Sequence, residues 1–222
     1  MLPGLALWLA AAFVLGGVPF GFLAVRLLLG QDVRRMGSGN IGATNASRCF
    51  PARWRRPVFF AIWLLDMGKG WLPTTLAMQG LVDPARSHEV GALVGLAAVA
   101  GHCFSPFLGF KGGKGVSTVC GVLLALDPLA LGVAILVFAL VRLATGVVAL
   151  GSMALGFALA ATVILREPAT AFGERLPVTV LCLFLALFLV WTHRENIRGL
   201  RRLRRQRRNG GEPAGREGDG IR

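Results

Sequence analysis

A glycine-rich, cationic loop interrupts an otherwise apolar chain of 222 residues. In the stretch FKGGKG, residues 110–115, three glycines surround two lysines. Glycine flanks leave backbone N–H groups free to point at an anion, and the ammonium groups place positive charge beside them. The glycine spacing differs from that of a nucleotide P-loop, and Gly115 stands where Ser or Thr would bind magnesium. We therefore predict a site for a phosphate group that does not belong to ATP. The alternative is a pair of lysines that contact lipid headgroups.

A second polar segment, GSGNIGATNASR, occupies residues 37–48. Its glycines permit positive φ angles and the close approach of a ligand. Arg48 supplies a planar guanidinium suited to a phosphate or a carboxylate. An ordinary polar connecting loop is the alternative. The binding interpretation also uses the small polar residues and glycines of the segment, which are Ser38, Gly39, Asn40, Gly42, Thr44 and Asn45.

The third polar segment is THRENIRG, at residues 192–199. His193 and Asn196 are three residues apart, so on a helix they share a face. Histidine titrates near neutrality, which makes His193 a candidate general base. His102 lies at another predicted membrane boundary, and its role stays open.

Two further positions could lie near the same site. Asp66 and Lys69 are three residues apart within an apolar segment, which predicts a buried ion pair or a supporting role beside the phosphate site. Ser152 either points into the cavity or packs between helices. The four cysteines are scattered, a pattern typical of small buried side chains and not of a zinc site or a disulfide framework.

The elements that must position these residues are membrane helices. The chain is 55% hydrophobic with a mean hydropathy of +0.64, and its apolar residues fall in blocks near the roughly 20 residues that cross a bilayer. We predict an all-α integral membrane protein, a seven-transmembrane-helix bundle. The predicted spans are 3–25, 57–78, 90–108, 115–126, 128–144, 146–165 and 176–192, with a re-entrant pair as the alternative for the fourth and fifth.

The distribution of basic residues predicts the orientation of the bundle. With the N-terminus outside and the C-terminus cytoplasmic, only Arg86, Arg166 and Arg175 of the 24 basic residues fall in external loops. Cytoplasmic loops carry the excess of Lys and Arg. The three polar segments then share the cytoplasmic face, where they could form one site.

The strongly basic C-terminal segment has two interpretations. On a soluble protein it would suggest nucleic acid; beside a final membrane span it indicates contact with anionic lipid headgroups. We therefore predict no nucleic-acid partner. Residues 1–200 are predicted to form the membrane domain and residues 201–222 a basic, disordered cytoplasmic tail.

These three segments together resemble the motifs of the PlsY family, and the similarity extends over most of residues 1–200. SGNIGATN with Arg48 resembles its first motif, GHCFSPFLGFKGGKGVST its second and HRENI its third. The family consists of bacterial integral-membrane acyltransferases that move a fatty acyl group from acyl phosphate to the 1-hydroxyl of glycerol 3-phosphate. The chain departs from the family after HRENI, where RGLRRLRRQRR replaces a G-x-E element, so that Glu212 is not assigned a role.

The resemblance implies roles for individual residues. Ser38, Arg48, His193 and Asn196 are expected at the reaction centre, and the loop of Lys111, Gly112, Gly113, Lys114 and Gly115 is expected to bind glycerol 3-phosphate. No metal or nucleotide cofactor is implied. The expected location is the bacterial inner membrane, with the site on the cytoplasmic side and an upstream enzyme that forms acyl phosphate as a possible partner. The rival hypothesis from the composition is a transporter of phosphate or an organophosphate.

Overall fold

The computed structural model describes residues 3–81 and 84–199, and all regular secondary structure within these ranges is helical. The predicted tail 201–222 and Glu212 lie outside the described residues. The helices, in chain order, are α1 Pro3–Gly17, α2 Phe20–Leu29, α3 Ala43–Arg48, α4 Ala52–Leu76, α5 Ser87–Cys103, α6 Val116–Leu126, α7 Pro128–Thr145, α8 Val148–Arg166, α9 Pro168–Ala171 and α10 Leu176–Thr192.

Four helical segments of the described chain are long and apolar enough to cross a membrane. They are Gly4–Leu29, Ser87–Leu108, Pro128–Thr145 and Val148–Arg166. α6 and α10 are apolar but shorter. The predicted fourth and fifth spans form two separate helices, which meet at Asp127.

The predicted first span is not one continuous helix. It is broken at Val18–Pro19 and continues as far as Leu29. The break occurs because proline has no backbone N–H and cannot continue the hydrogen-bond ladder. It exposes carbonyl groups that buried side chains then use: Ser105 Oγ donates to Gly17 O at 2.6 Å, and Lys69 Nζ donates to Val18 O at 2.8 Å.

The boundaries of two other predicted spans also change. α4 begins at Ala52, five residues before the predicted boundary. α5 ends at Cys103 instead of continuing to residue 108, and a short 3₁₀ turn, Pro106–Leu108, leads into the glycine loop.

α4 and α6 pack closely because glycine faces backbone across their contact. A methyl group on Gly121 would lie 1.9 Å from the carbonyl oxygen of Met67, and one on Gly70 would lie 2.3 Å from that of Thr118. Small residues allow helices in a membrane to approach in this way. The contact fixes the start of α6, and therefore the glycine loop before it, against α4.

Candidate active site

The three polar segments surround one cavity of about 330 Å³. It opens where α3, the start of α4, the ends of α5 and α10, and the starts of α6 and α8 meet. The predicted site residues that line it are Ser38, Asn40, Gly42, Thr44, Asn45, Arg48, Lys114, Gly115, Ser152, His193 and Asn196. Gly39, Lys111, Gly112 and Gly113 are not among the lining residues, and Lys111 is exposed.

The buried side chain of Asn45 stabilises the loop of residues 37–48 by hydrogen bonds. It is 4% exposed, and its amide nitrogen donates to the carbonyl oxygens of Met36 and Asn40, both at 2.9 Å. Its amide oxygen accepts from the backbone N–H of Ser38 at 3.1 Å. The Asn45 side chain thus holds Ser38 in place through the backbone. Asn45 also lines the cavity, and its contact with substrate stays a prediction.

The glycines of the first loop differ in conformation. Gly39 has a φ of 70°, which favours glycine. Gly42 has a φ of −71° and starts α3 in an extended conformation, so positive φ is not the reason for that glycine.

Just before the loop of residues 37–48, hydrogen bonds from the side chain and backbone of Arg34 lower the pKa of Asp32 to about 2. This pair fixes the turn that precedes the loop.

The backbone of the glycine loop, residues 110–115, is hydrogen-bonded to the end of α5. The N–H of Gly112 donates to Cys103 O at 3.0 Å, and the N–H of Gly113 donates to His102 O at 2.9 Å. The prediction that these two amides are free to bind an anion is therefore wrong. Gly115 adopts a left-handed conformation, with a φ of 82°, and begins α6. The loop thus presents Lys114 to the cavity and turns Lys111 away from it.

Lys114 connects the glycine loop, residues 110–115, with the segment of residues 192–199. Its Nζ donates to Asn196 Oδ1, and Thr192 Oγ1 donates to the Lys114 carbonyl at 3.3 Å. Burial lowers the pKa of Lys114 to about 8. Most of the lysine therefore stays protonated at neutral pH, and binding of an anion would favour the charged form.

His193 is held as a neutral base. Its Nδ1 lies 2.9 Å from the carbonyl oxygen of Leu189, which can only accept, so Nδ1 carries the proton and Nε2 keeps a lone pair. Burial, followed by the charge of Lys114, lowers the pKa of His193 to about 4. An uncharged imidazole with a free Nε2 can accept a hydrogen bond from a hydroxyl group at neutral pH.

Arg48 and Ser152 reach the cavity from helices. Arg48 lies in the last turn of α3. Ser152 lies in the first turns of α8, lines the cavity and donates its hydroxyl hydrogen to Val148 O at 3.0 Å. Its oxygen can still accept a hydrogen bond. Together with Lys114, Arg48 gives the cavity a positive charge suited to phosphate groups.

The structure also places two buried titratable residues at the cavity. Asp66 and His102 both line it, and Asp66 pairs with Lys69 at 2.7 Å, as predicted. Sequence analysis left the role of His102 open, and it gave Asp66 either a buried ion pair or a supporting role beside the phosphate site. Their distance from the glycine loop is set by the packing of α4 against α5.

An apolar wall completes the cavity. It is formed by side chains of α4, α6, α7 and α8, which are Phe59, Phe60, Trp63, Cys120, Ile135, Phe138 and Leu155. Several of these residues are also partly exposed on the outside of the helices. The site therefore combines a cationic, hydrogen-bonding end with an apolar flank, an arrangement suited to an amphipathic ligand.

The comparison with protein families decides the assignment. The family described as glycerol-3-phosphate acyltransferase matches residues 6–203. The chain belongs to this family. A glycerol-3-phosphate acyltransferase of Myxococcus xanthus (strain DK1622) is 42% identical over 190 residues, covering 86% of this chain and 92% of the relative. One of Geobacter sulfurreducens (strain ATCC 51573 / DSM 12127 / PCA) is 41% identical over 194 residues, covering 86% and 91%.

Solved structures agree with the family assignment. The crystal structure of PlsY, an integral membrane glycerol 3-phosphate acyltransferase, in its glycerol 3-phosphate form matches with a TM-score of 0.76 at 30% identity. The match covers 89% of this chain and 92% of that one. The lysophosphatidic acid form matches with a TM-score of 0.74 at 28% identity, covering 89% and 91%. The fold is that of an integral membrane acyltransferase of this family.

Proposed function

We propose that this chain transfers a fatty acyl group from acyl phosphate to the 1-hydroxyl of glycerol 3-phosphate, giving lysophosphatidic acid and phosphate. The observation that carries the proposal is the convergence of Arg48, Lys114, His193 and Asn196 on one cavity with an apolar flank. Two phosphate groups must lie close together in this reaction, and the cationic end of the cavity suits both. The apolar flank suits the acyl chain.

The chemistry needs positioning more than activation, because acyl phosphate is already a mixed anhydride. The hydroxyl oxygen attacks the acyl carbon, the bond from that carbon to the phosphate oxygen breaks, and phosphate leaves. In this proposal Arg48 and Ser38, which both line the cavity, stabilise the charge that develops. The hydroxyl proton passes to His193 Nε2 or to a phosphate oxygen of a substrate. Holding the reactants in line supplies much of the rate enhancement.

The membrane arrangement follows from the same proposal. In this proposal seven spans cross the membrane: α1 with α2, then α4, α5, α6, α7, α8 and α10, with the short α3 and α9 left out. The site then lies on the side where most of the Lys and Arg residues fall in the sequence. We infer that this face is cytoplasmic, with the N-terminus outside and the C-terminus inside, in the bacterial inner membrane. Acyl phosphate is reactive and membrane-bound, so an enzyme that forms it must supply the substrate from the same side.

A defined assay tests the function. The protein, purified in detergent without other proteins, is expected to form lysophosphatidic acid from acyl phosphate and glycerol 3-phosphate. Acyl-CoA should not replace acyl phosphate, because its large nucleotide needs a separate pocket beside the cavity. Robust turnover with acyl-CoA alone would contradict the donor assignment. Uptake of glycerol 3-phosphate into proteoliposomes without acyl transfer would support the transporter instead.

A further inference from the structure

The imidazole of His102 occupies the space that a side chain at position 113 would need. A methyl group on Gly113 would lie 2.1 Å from His102 Nε2, 2.9 Å from Cε1 and 3.0 Å from Cδ2. The φ angle of Gly113 lies outside the left-handed region, so a positive φ is not the reason for this glycine. The ring, and not backbone strain, therefore excludes a side chain here.

His102 is buried beside an ion pair, and it also lines the cavity. His102 is 4% exposed, and its Nδ1 lies 3.7 Å from Asp66 Oδ1. Lys69 pairs with that carboxylate at 2.7 Å and also donates to Val18 O at 2.8 Å. The side chains of Asp66 and Lys69 are 3% and 2% exposed. The Asp66–Lys69 pair, which is itself tied to Val18, thus lies beside the ring, whose Nδ1 has no hydrogen-bond partner among the described residues.

His102 also contacts the loop through its backbone. Its carbonyl oxygen accepts the N–H of Gly113 at 2.9 Å. The next residue is Lys114, whose Nζ donates to Asn196 at the opposite side of the cavity. Any displacement of Gly113 away from the ring would therefore move Lys114 and alter this cross-cavity contact.

We propose that His102 is a positioning residue. Its ring sets the position of the glycine loop relative to the end of α5, and thereby places Lys114 for the phosphate of glycerol 3-phosphate. Gly113 is then a glycine because of the ring, and not because a phosphate approaches its backbone. The inference rests on the proposed function for its kinetic test. Its contact with Gly113 can be tested without substrate.

A double-mutant cycle tests whether position 113 requires glycine because of the His102 ring or because a phosphate approaches its backbone. Four proteins are compared: the wild type, Gly113→Ala, His102→Asn and the double variant. Asn keeps a nitrogen near the position of Nδ1 and lacks the Nε2 and Cε1 atoms that are closest to position 113. Gly113→Ala is expected to raise the KM for glycerol 3-phosphate by about tenfold or more in the wild type, with a smaller change in kcat. In the His102→Asn background we expect a further change of less than about threefold.

Gly112→Ala is the matched control. Its methyl group would lie 2.0 Å from the carbonyl oxygen of His102, a backbone atom that every variant of residue 102 retains. His102→Asn should therefore not relieve Gly112→Ala. If Gly113→Ala raises KM equally in both backgrounds, the phosphate itself requires the glycine and the proposal is wrong.

Thermal unfolding of the same four proteins in detergent, without substrate, provides an independent measurement. Gly113→Ala should lower the unfolding midpoint by several degrees in the wild type and by clearly less in the His102→Asn protein. Equal shifts of the unfolding midpoint in the two backgrounds would contradict the proposed contact between position 113 and the His102 ring. If His102→Asn does not fold, His102→Ala replaces it as the background. A wild type that folds but makes no lysophosphatidic acid contradicts the proposed function, while the unfolding cycle still decides this inference.

Discussion

Lys114 Nζ donates a hydrogen bond to Asn196 Oδ1, joining two residues that are 82 positions apart. The contact connects the glycine loop, across the cavity, to the helical residues 194–199 that follow α10. Because the amide oxygen accepts this bond, the amide nitrogen of Asn196 remains a donor for another group. One substrate phosphate placed here would meet a cation and a neutral donor from two separate motifs.

Loss of the Lys114 cation should weaken binding of glycerol 3-phosphate. Lys114→Ala removes a charge-assisted hydrogen bond worth about 1.5–3 kcal/mol, so KM is expected to rise about 10- to 150-fold. Lys111→Ala is the control, because Lys111 carries the same charge but is exposed and lies outside the cavity lining. Steady-state kinetics should show a change of less than about threefold for the control. An unchanged KM in both variants would mean that the loop acts as a headgroup anchor, and equal increases would mean that both lysines bind the phosphate.

The affinity for glycerol 3-phosphate should fall with rising pH above about 8. Burial lowers the pKa of Lys114 to about 8, so the free enzyme loses this charge as the pH rises through that value. The pKa of His193, about 4, keeps that residue neutral across the same range. KM measured from pH 7 to pH 10 should therefore increase in the wild type. In Lys114→Arg, whose cation does not titrate in this range, KM should stay nearly constant with pH; a parallel increase would assign the titration to another group.

Arg48 is expected to act mainly on turnover. If its guanidinium stabilises charge that develops on the reacting groups, Arg48→Ala should lower kcat by about 10²–10³-fold, a larger factor than its effect on KM. Arg56→Ala is the control, since Arg56 is exposed at the start of α4 and does not line the cavity. Steady-state kinetics on folded, purified variants measure kcat and KM for each protein. A change in KM alone would place Arg48 in ground-state binding.

Much of the helical arrangement could be predicted from the chain, because apolar runs of bilayer length specify helices without further information. The break at Val18–Pro19 could not, because proline within a membrane helix is tolerated wherever other groups satisfy the freed carbonyls. Here Lys69 and Ser105 satisfy them. Both partners are distant in sequence, and only the packed fold brings them to the break.

The sequence likewise predicted only part of the site. Residue types and spacing predicted that Lys114, His193 and Asn196 would meet, and the structure brings them to one cavity. Sequence did not show that Asn45 holds its own loop, or that Gly113 faces the ring of His102. Both depend on which carbonyl or side chain lies opposite, and residue type alone does not determine that.

Asp127 should be important for stability although it lies away from the cavity. It is 3% exposed, pairs with Arg166 at 3.0 Å and with Arg175, and accepts the N–H of Ala130 at the start of α7. Asp127→Asn leaves Arg166 and Arg175, which are 31% and 19% exposed, with the exposed Glu167 as their remaining acidic partner among the described residues. The substitution should cost about 2 kcal/mol of unfolding free energy. Glu195→Ala, which removes an exposed pair with Arg198, should cost less than about 1 kcal/mol. Unfolding in detergent compares the two, and equal costs would contradict the role of Asp127.

The orientation in the membrane can be tested at two exposed residues. We expect Arg53, at the start of α4, to be cytoplasmic and Glu174, between α9 and α10, to be external, because of the asymmetry of the basic residues. Single cysteines are introduced as Arg53→Cys and Glu174→Cys after Cys49, Cys103, Cys120 and Cys182 have been replaced by alanine. A maleimide that does not cross membranes should label Glu174→Cys in intact spheroplasts, and Arg53→Cys only after the membrane is permeabilised. Retained acyltransferase activity in both variants would show that the labelled proteins are folded. Labelling of Arg53→Cys in intact spheroplasts would reverse the orientation and place the cationic cavity at the external face, where acyl phosphate made in the cytoplasm could not reach it.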